Sequence, residues 1–222
     1  MISVLIVDDH PIVRQGVMQI LAETDDIRIE GEAENSDEAL ARCAERRWDV
    51  IILDINMPGR NGIETAKLIR ERHPDATMLM LSIHSESHIA MRALKAGAAG
   101  YVTKQSVPDQ LIHAIRRVHG GRRYVTPELA ADIADNLGRD VDRPVHELLS
   151  NREYQTLCMI ASGRTLTQIA DDLQISVKTV SVYRARLLEK LRLKSNAELT
   201  HYGIKNQLVD LSQSTALTAP RV

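Results

Sequence analysis

Phenylalanine is absent from this 222-residue sequence, tryptophan occurs once, and aromatic residues make up 3% of it. That scarcity disfavours a sensor that encloses a small apolar ligand, because such pockets are lined largely by rings and apolar side chains. Cysteine is nearly absent too: Cys43 and Cys158 stand far apart and make neither a disulfide framework nor a zinc site. No apolar run approaches the roughly 20 residues of a membrane-spanning helix. No basic region followed by an apolar stretch opens the chain at Met1-Ile2-Ser3-Val4. Repeats, low-complexity segments and nucleotide-binding loops are missing as well. The expectation is a soluble protein of a reducing compartment, the cytoplasm, with no membrane partner.

What is present is ordinary globular material, 44% hydrophobic and 26% charged, in a length that suits one large domain or two ordinary ones. The net charge of −2 conceals an asymmetry. Residues 1–120 hold 14 Lys+Arg against 18 Asp+Glu, a net of −4, whereas residues 147–222 hold 10 against 7, a net of +3. An acidic front and a mildly basic back suggest two modules with different partners. The basic half permits nucleic-acid binding without requiring it.

Short apolar runs in the first 120 residues read as buried strands: Val4 to Val7, Ile27 to Ile29, Val50 to Leu53, Met78 to Leu81, and Tyr101-Val102. Between them apolar residues recur at helical spacing, as in Val13, Val17 and Ile20, or Leu111, Ile115 and Val118. Five strands, each followed by a helix, predict a parallel sheet covered on both faces, which also explains why the strand runs are continuous. Gly120-Gly121-Arg122-Arg123 stops the pattern. A short helix over Pro127 to Leu137 is expected in the linker 121–146, which Pro144 closes. A fully flexible segment of that length would span about 25–30 Å. From Leu148 onward only short helices are expected. Ser150 with Glu153, Thr165 with Gln168, and Ser195 with Glu198 have capping-box spacing, and Ser176 can cap a helix running through Leu191. Ser212 to Val222 reads as a loose tail.

The chemistry lies where the expected strands end. In a doubly wound sheet that edge is the working one. Asp8 and Asp9 follow the first strand, Asp54 the third, Ser82 the fourth, and Lys104 the fifth. Each alone has an ordinary reading as a loop acid or a solvated lysine. Their convergence on one edge does not. Two unit charges 4 Å apart cost about 4 kcal/mol at an effective dielectric of 20, so such a cluster must protonate an acid or hold a cation. Oxygen ligands favour Mg²⁺, or Mn²⁺, over zinc. His10 is a softer donor nearby, but Pro11 after it suits a helix start, and it reads as structural or surface. A cation on paired acids, with a lysine and a hydroxyl opposite, is a template for a phosphoryl group.

At this point the sequence resembles a response-regulator receiver domain. The matching residues are Val7-Asp8-Asp9-His10-Pro11, Leu53-Asp54-Ile55-Asn56-Met57-Pro58 with Gly62, Leu81-Ser82, and Gly100-Tyr101-Val102-Thr103-Lys104. The resemblance implies a flavodoxin-like (βα)5 domain over 1–120 with strand order 2-1-3-4-5, a related receiver being a standard example of that order. It further implies Asp54 as phosphoacceptor, with Asp8, Asp9, Asp54 and the Asn56 carbonyl around Mg²⁺. Lys104 would bind the acyl phosphate, and Ser82 and Tyr101 would form a switch pair. Asn56 and His84 resemble the positions that tune phosphoryl lifetime. Gln105 departs from the pattern, since many receivers have proline after the lysine.

Roughly residues 147–208 resemble the LuxR-type DNA-binding domain, an all-α four-helix unit with a helix-turn-helix, and the domain is expected over 147–211. The likeness rests on Ser150-Asn151-Arg152-Glu153, Gly163-Arg164-Thr165, Thr179-Val180, Glu189-Lys190-Leu191 and Lys194-Ser195. Together the two halves resemble the NarL/FixJ architecture. Carried over by position, Ser181, Val182 and Ala185 fall where relatives touch base edges. Lys178, Thr179, Tyr183, Arg186 and Lys190 are candidate phosphate contacts, and Arg184 suits either role. Leu166-Thr167 stands where relatives often have Asn-Lys, so one expected phosphate contact is missing.

The function these features imply is a transcription regulator whose DNA binding is controlled by phosphorylation of Asp54 by a sensor histidine kinase. Its partners would be double-stranded promoter DNA, a second copy once phosphorylated, and RNA polymerase. The last helix, Asn196 to Gln207, is the expected dimer surface. Two alternatives stand beside it. A phosphatase with an aspartyl-phosphate intermediate needs an acid two residues after its nucleophile, and position 56 is Asn. A DNA-binding regulator with a phosphorylation-independent receiver is the other.

Overall fold

In the computed structural model the described residues are 1–82, 87–104, 108–137, 144–206 and 208–209. The chain divides into two compact units, 1–141 and 142–222. In the first, strands β1 (Ile2–Val7), β2 (Ile27–Ala33), β3 (Val50–Asp54), β4 (Met78–Ser82) and β5 (Gly100–Thr103) form one parallel sheet ordered β2-β1-β3-β4-β5. The expected flavodoxin-like order is therefore present. Helices α1 (Pro11–Ala22), α2 (Ser36–Glu45), α3 (Gly62–Arg72), α4 (Ser87–Lys95) and α5 (Pro108–His119) follow the strands in turn.

Every residue of β3 and β4 is buried, which is why these runs carry no polar alternation. On one face Val4, Ile6, Ile52, Leu79, Leu81 and Val102 pack with Val17 and Leu21 of α1 and Leu111, Ile115 and Val118 of α5. Alternation sends Leu5, Leu53 and Met80, also buried, to the other face.

β2 continues four residues beyond Ile29, where apolar patterning alone ends. It is an edge strand, so Glu30 and Glu32 face outward while Ile27 and Ala33 are buried. A register shift between Val4 and Leu5 carries the pairing from Ile29 to Gly31. The Trp48 ring lies on Gly31, and a Cβ at that position would collide with it.

After α5 the backbone returns along the open side of β5. Tyr101 N–H donates to the Tyr124 carbonyl at 2.9 Å, and Tyr124 N–H donates to that of Ala99 at 3.0 Å. Helix α6 (Pro127–Leu137), the helix expected in the linker, then packs against α4.

The second unit holds a 3-10 turn at Val145–Leu148 and helices α7 (Asn151–Ala161), α8 (Leu166–Asp172), α9 (Val177–Leu191) and α10 (Asn196–Lys205). Leu157, Ile169, Val180, Leu187 and Leu199 are fully buried in it. Reciprocal capping boxes start α7 (Ser150 with Glu153) and α8 (Thr165 with Gln168). The third box is incomplete. Ser195 Oγ accepts from Glu198 N–H at 3.2 Å, but the Glu198 carboxylate accepts from Lys194 N–H at 2.8 Å, one residue early. Residues 212–222, with His84 and Gln105, lie outside the described residues. Among the described residues no helix is long and apolar enough to cross a membrane.

Candidate functional site

Because all five strands run parallel, their C-terminal ends share one edge, and the chain places Asp8, Asp54, Ser82 and Lys104 there. Asp8, Asp54 and Ser82 are fully buried. Lys104 Nζ lies 2.8 Å from Asp8 Oδ2 and 3.0 Å from Asp54 Oδ2, joining the ends of β1 and β3 across the sheet. Its own backbone is fixed by Lys104 N–H donating to the Ser82 carbonyl at 2.6 Å. Asp54 Oδ1 is buried without a hydrogen-bond partner among the described residues.

Burial pushes the Asp54 carboxyl up to about 6; the Lys104 charge opposes that rise, and the Asp8 charge adds to it. Burial alone would lower the Lys104 ammonium, but the Asp54 and Asp8 carboxylates outweigh it and raise its pKa. Two buried carboxylates thus share one cation.

The loop after Asp54 is held just as closely. Gly62 N–H donates to the Ile55 carbonyl at 3.0 Å, and a Cβ on Gly62 would collide with the Asp54 backbone. Only glycine lets α3 start against the strand that presents the acid. Asn61 caps that helix, its Oδ1 accepting from Glu64 N–H at 2.9 Å.

Asp9, partly exposed, completes the acidic cluster. One ligand atom each from Asp8, Asp9, His10 and Asp54 lies within 4.8 Å of the others. His10, exposed as expected, lies beside them: its Nδ1 stands 2.9 Å from Asp9 Oδ1 and 3.3 Å from Asp8 Oδ1. Behind the cluster Arg14 is buried on α1. It donates from Nη1 to the Asp8 carbonyl at 2.7 Å, from Nε to Glu32 at 3.1 Å and from Nη2 to Glu34 at 2.5 Å. The guanidinium ties the loop carrying both acids to the end of β2.

In the second unit α9 buries Val180, Leu187 and Leu191 and leaves Lys178, Ser181, Val182, Ala185, Arg186 and Lys190 exposed. Thr179, Tyr183 and Arg184 are half-buried. Ser176 Oγ accepts from Thr179 N–H at 3.0 Å, so the helix begins with its first residues ordered. Two of its basic groups already have partners. Lys190 Nζ is 2.7 Å from Glu153, the acid of the α7 capping box, and Arg184 Nε donates to Asn196 Oδ1 at 2.5 Å.

Residues 4–116 match the family model of the response regulator receiver domain, and residues 147–203 match that of the bacterial regulatory proteins of the luxR family. The response regulator GacA of Pseudomonas viridiflava is 37% identical over 213 residues, 96% of this chain and 100% of that protein. The response regulator UvrY of Escherichia coli K12 is 36% identical over 209 residues, 94% of this chain and 96% of that one. Among solved structures, RcsB of Salmonella enterica serovar Typhimurium, bound to a promoter in the presence of a phosphomimetic, superposes with a TM-score of 0.65. It is 27% identical over 90% of this chain and 97% of its own. The chain is a response regulator of the NarL/FixJ family.

The regulator brings Asp8, Asp9, Asp54 and Lys104 together as expected, and Ser82, the last residue of β4, and Tyr101, the second residue of β5, are both fully buried. Asn56 is half-buried in the loop after Asp54. Its relatives are response regulators, and position 56 is Asn, so the phosphatase reading is dropped. Sequence reasoning missed Arg14 altogether and set His10 aside. The signal for Arg14 is faint: Glu32 in β2 and Glu34 just after it suggest a cation somewhere opposite, but not on which element.

Proposed function

We propose that Asp54 is the phosphoacceptor of this response regulator and that a sensor histidine kinase supplies the phosphoryl group. The observation that carries the reading is the lysine bridge from Asp8 to Asp54 at 2.8 and 3.0 Å, set on a buried acid. Mg²⁺, with Mn²⁺ as the alternative, would be held by Asp8, Asp9, Asp54 and the Asn56 carbonyl. The fit rests on clustered carboxylates and on the buried Asp54 Oδ1, which has no hydrogen-bond partner among the described residues. When bound, the ion supplies positive charge against the oxygens of the transferred group.

In the transfer an Asp54 oxygen attacks phosphorus while the P–N bond of the donor's phosphohistidine breaks, its electron pair returning to the imidazole, which takes a proton from solvent. Lys104 holds an ammonium beside the phosphoryl oxygens, and Ser82 donates a hydrogen bond to them. Turning toward that new charge, Ser82 and Tyr101 act as the switch pair, a local event biasing a two-state element. We take the receiver as 1–120 and the DNA-binding module as 147–211. The phosphorylated state favours a homodimer through α10, whose two α9 helices meet half-sites about 34–36 Å apart. Promoter-bound and DNA-bound dimeric RcsB structures support DNA and a second copy as partners. RNA polymerase is the further partner, and the cytoplasm is the compartment.

Acetyl phosphate with Mg²⁺ should label the wild type and leave Asp54→Asn unlabelled; persistent labelling of the variant sinks the assignment. Should the labelled protein hold promoter DNA no more tightly than the unlabelled one, the phosphorylation-independent reading replaces this one.

A further inference from the structure

We propose that His10 is a nitrogen ligand of the acidic pocket, and that the pocket therefore takes transition ions of the Co²⁺ and Zn²⁺ class more tightly than Mg²⁺. The inference rests on the divalent-ion reading above and adds a ligand to it.

The imidazole is placed for this by its neighbours. Its Nδ1 is 2.9 Å from Asp9 Oδ1 and 3.3 Å from Asp8 Oδ1. Two adjacent ligands of an octahedral ion, each about 2.1 Å from it, stand about 3.0 Å apart, so the nitrogen sits at the spacing of a neighbouring ligand. The backbone holds it there, with His10 N–H donating to Asp8 Oδ1 at 2.8 Å and Pro11 starting α1 directly afterwards. Although His10 occupies the N-cap position, its side chain makes no capping hydrogen bond. The ring stands beside the acids and does not cap the helix. Beside the ring the buried Asp54 Oδ1 has no hydrogen-bond partner among the described residues, a need that an added cation would meet.

The chemistry then separates the ions. Mg²⁺ prefers oxygen and keeps several waters, so it gains little from an imidazole. Affinity for nitrogen-containing sites rises along the first-row series, and Co²⁺ and Zn²⁺ gain from it directly. A Zn²⁺ ion whose four positions are filled by one histidine and three carboxylates has no open position for a phosphoryl oxygen. Such an ion would block labelling, where Mg²⁺ sustains it. If Nδ1–H merely donates a hydrogen bond to Asp9, removing the ring changes Co²⁺ and Zn²⁺ binding no more than Mg²⁺ binding.

The test is calorimetric titration of chelator-stripped, full-length protein at pH 7.5 with MgCl₂, CoCl₂ and ZnCl₂, together with Co²⁺ visible absorption. His10→Ala should weaken Co²⁺ and Zn²⁺ at least tenfold, shift the Co²⁺ band, and leave Mg²⁺ within twofold. Because the ring is 60% exposed, the variant should keep its fold, which circular dichroism checks. Unchanged Co²⁺ and Zn²⁺ affinity in His10→Ala, or equal losses for all three ions, overturns the proposal. The underlying metal reading is tested separately by Asp54→Asn, which should weaken all three ions; ion binding indifferent to Asp54 overturns both.

Discussion

The two units carry their chemistry in opposite ways. In the receiver Asp8 and Asp54 are buried on one edge and answered by Lys104, and the buried Arg14 answers the exposed Glu32 and Glu34 behind them. In the second unit the polar face of α9, the one proposed to meet DNA, is exposed, and the polar order lies beside it, in the caps of α7 and α8 and in the Lys190–Glu153 pair. A buried site is specified by the fold that surrounds it, because each unpaired charge there destabilises the native state. An exposed face is specified by its partner, so apart from Lys190 and Arg184 its residues say little in the free protein.

The contrast predicts large effects in the first unit and small ones in the second. Lys104→Met should be the most severe change, lowering metal-free stability of the receiver by about 3–5 kcal/mol, as expected when a buried ionic group loses its partner. Urea unfolding reads this loss, and millimolar Mg²⁺ should restore part of it. A Lys104→Met protein as stable as wild type would break the contrast.

Asp54→Asn should act in the opposite sense. With its carboxyl pushed from 3.8 to about 6, the folded state keeps the Asp54 proton between these limits while the unfolded chain releases it. Stability is therefore lost as pH rises through that window, and the penalty persists above it. Removing the acid should stabilise the metal-free receiver at pH 7.5 by up to about 3 kcal/mol, the equivalent of that shift. Below about pH 4 the two proteins should coincide. Thermal melts of both across pH 4–7.5 without divalent ions test the sign.

In the second unit Glu153→Gln should cost about 1–2 kcal/mol, since the amide can still accept from Ser150 N–H but loses the charge facing Lys190. Lowering of the Glu153 pKa, where burial raises it but Lys190 and the Ser150 contacts outweigh that, points the same way. Denaturant midpoints measure it. The smallest effect concerns the exposed lysines. Lys178→Ala should reduce the salt slope of DNA binding by about 0.9, the share of one phosphate contact. Lys190→Ala should reduce it less, because Glu153 already holds that ammonium. Equal slopes for the two variants would mean that DNA pulls Lys190 off its partner.

The same contrast sets what could be read before any coordinates. β3 and β4 were plain because burial on both faces demands continuous apolar runs, and parallel topology then turned four separate strand ends into one pocket. The second half of β2 was hidden because an edge strand tolerates glutamates. Arg14 was invisible because its three partners lie on two other segments, and spacing along one helix does not reveal a charge facing inward. Pro11 reads as a helix start and does begin α1, but spacing does not reveal that the His10 ring before it lies beside Asp9. The Ser195 box looked like the other two in spacing, and failed because Glu198 took the amide of Lys194. On α9 the buried stripe was legible, whereas the engagement of Lys190 and Arg184 depended on neighbours from α7 and α10.

The lone indole has a practical consequence. Trp48 precedes β3 and rests on Gly31, while Asp54 closes the same strand, a separation on the order of 20 Å along it. Its fluorescence reports the melting of the first unit alone, since the second contains no other tryptophan. Paramagnetic quenchers loaded at the far end of β3 should barely dim it, so emission and far-ultraviolet ellipticity recorded together would time the two halves separately in a single cuvette.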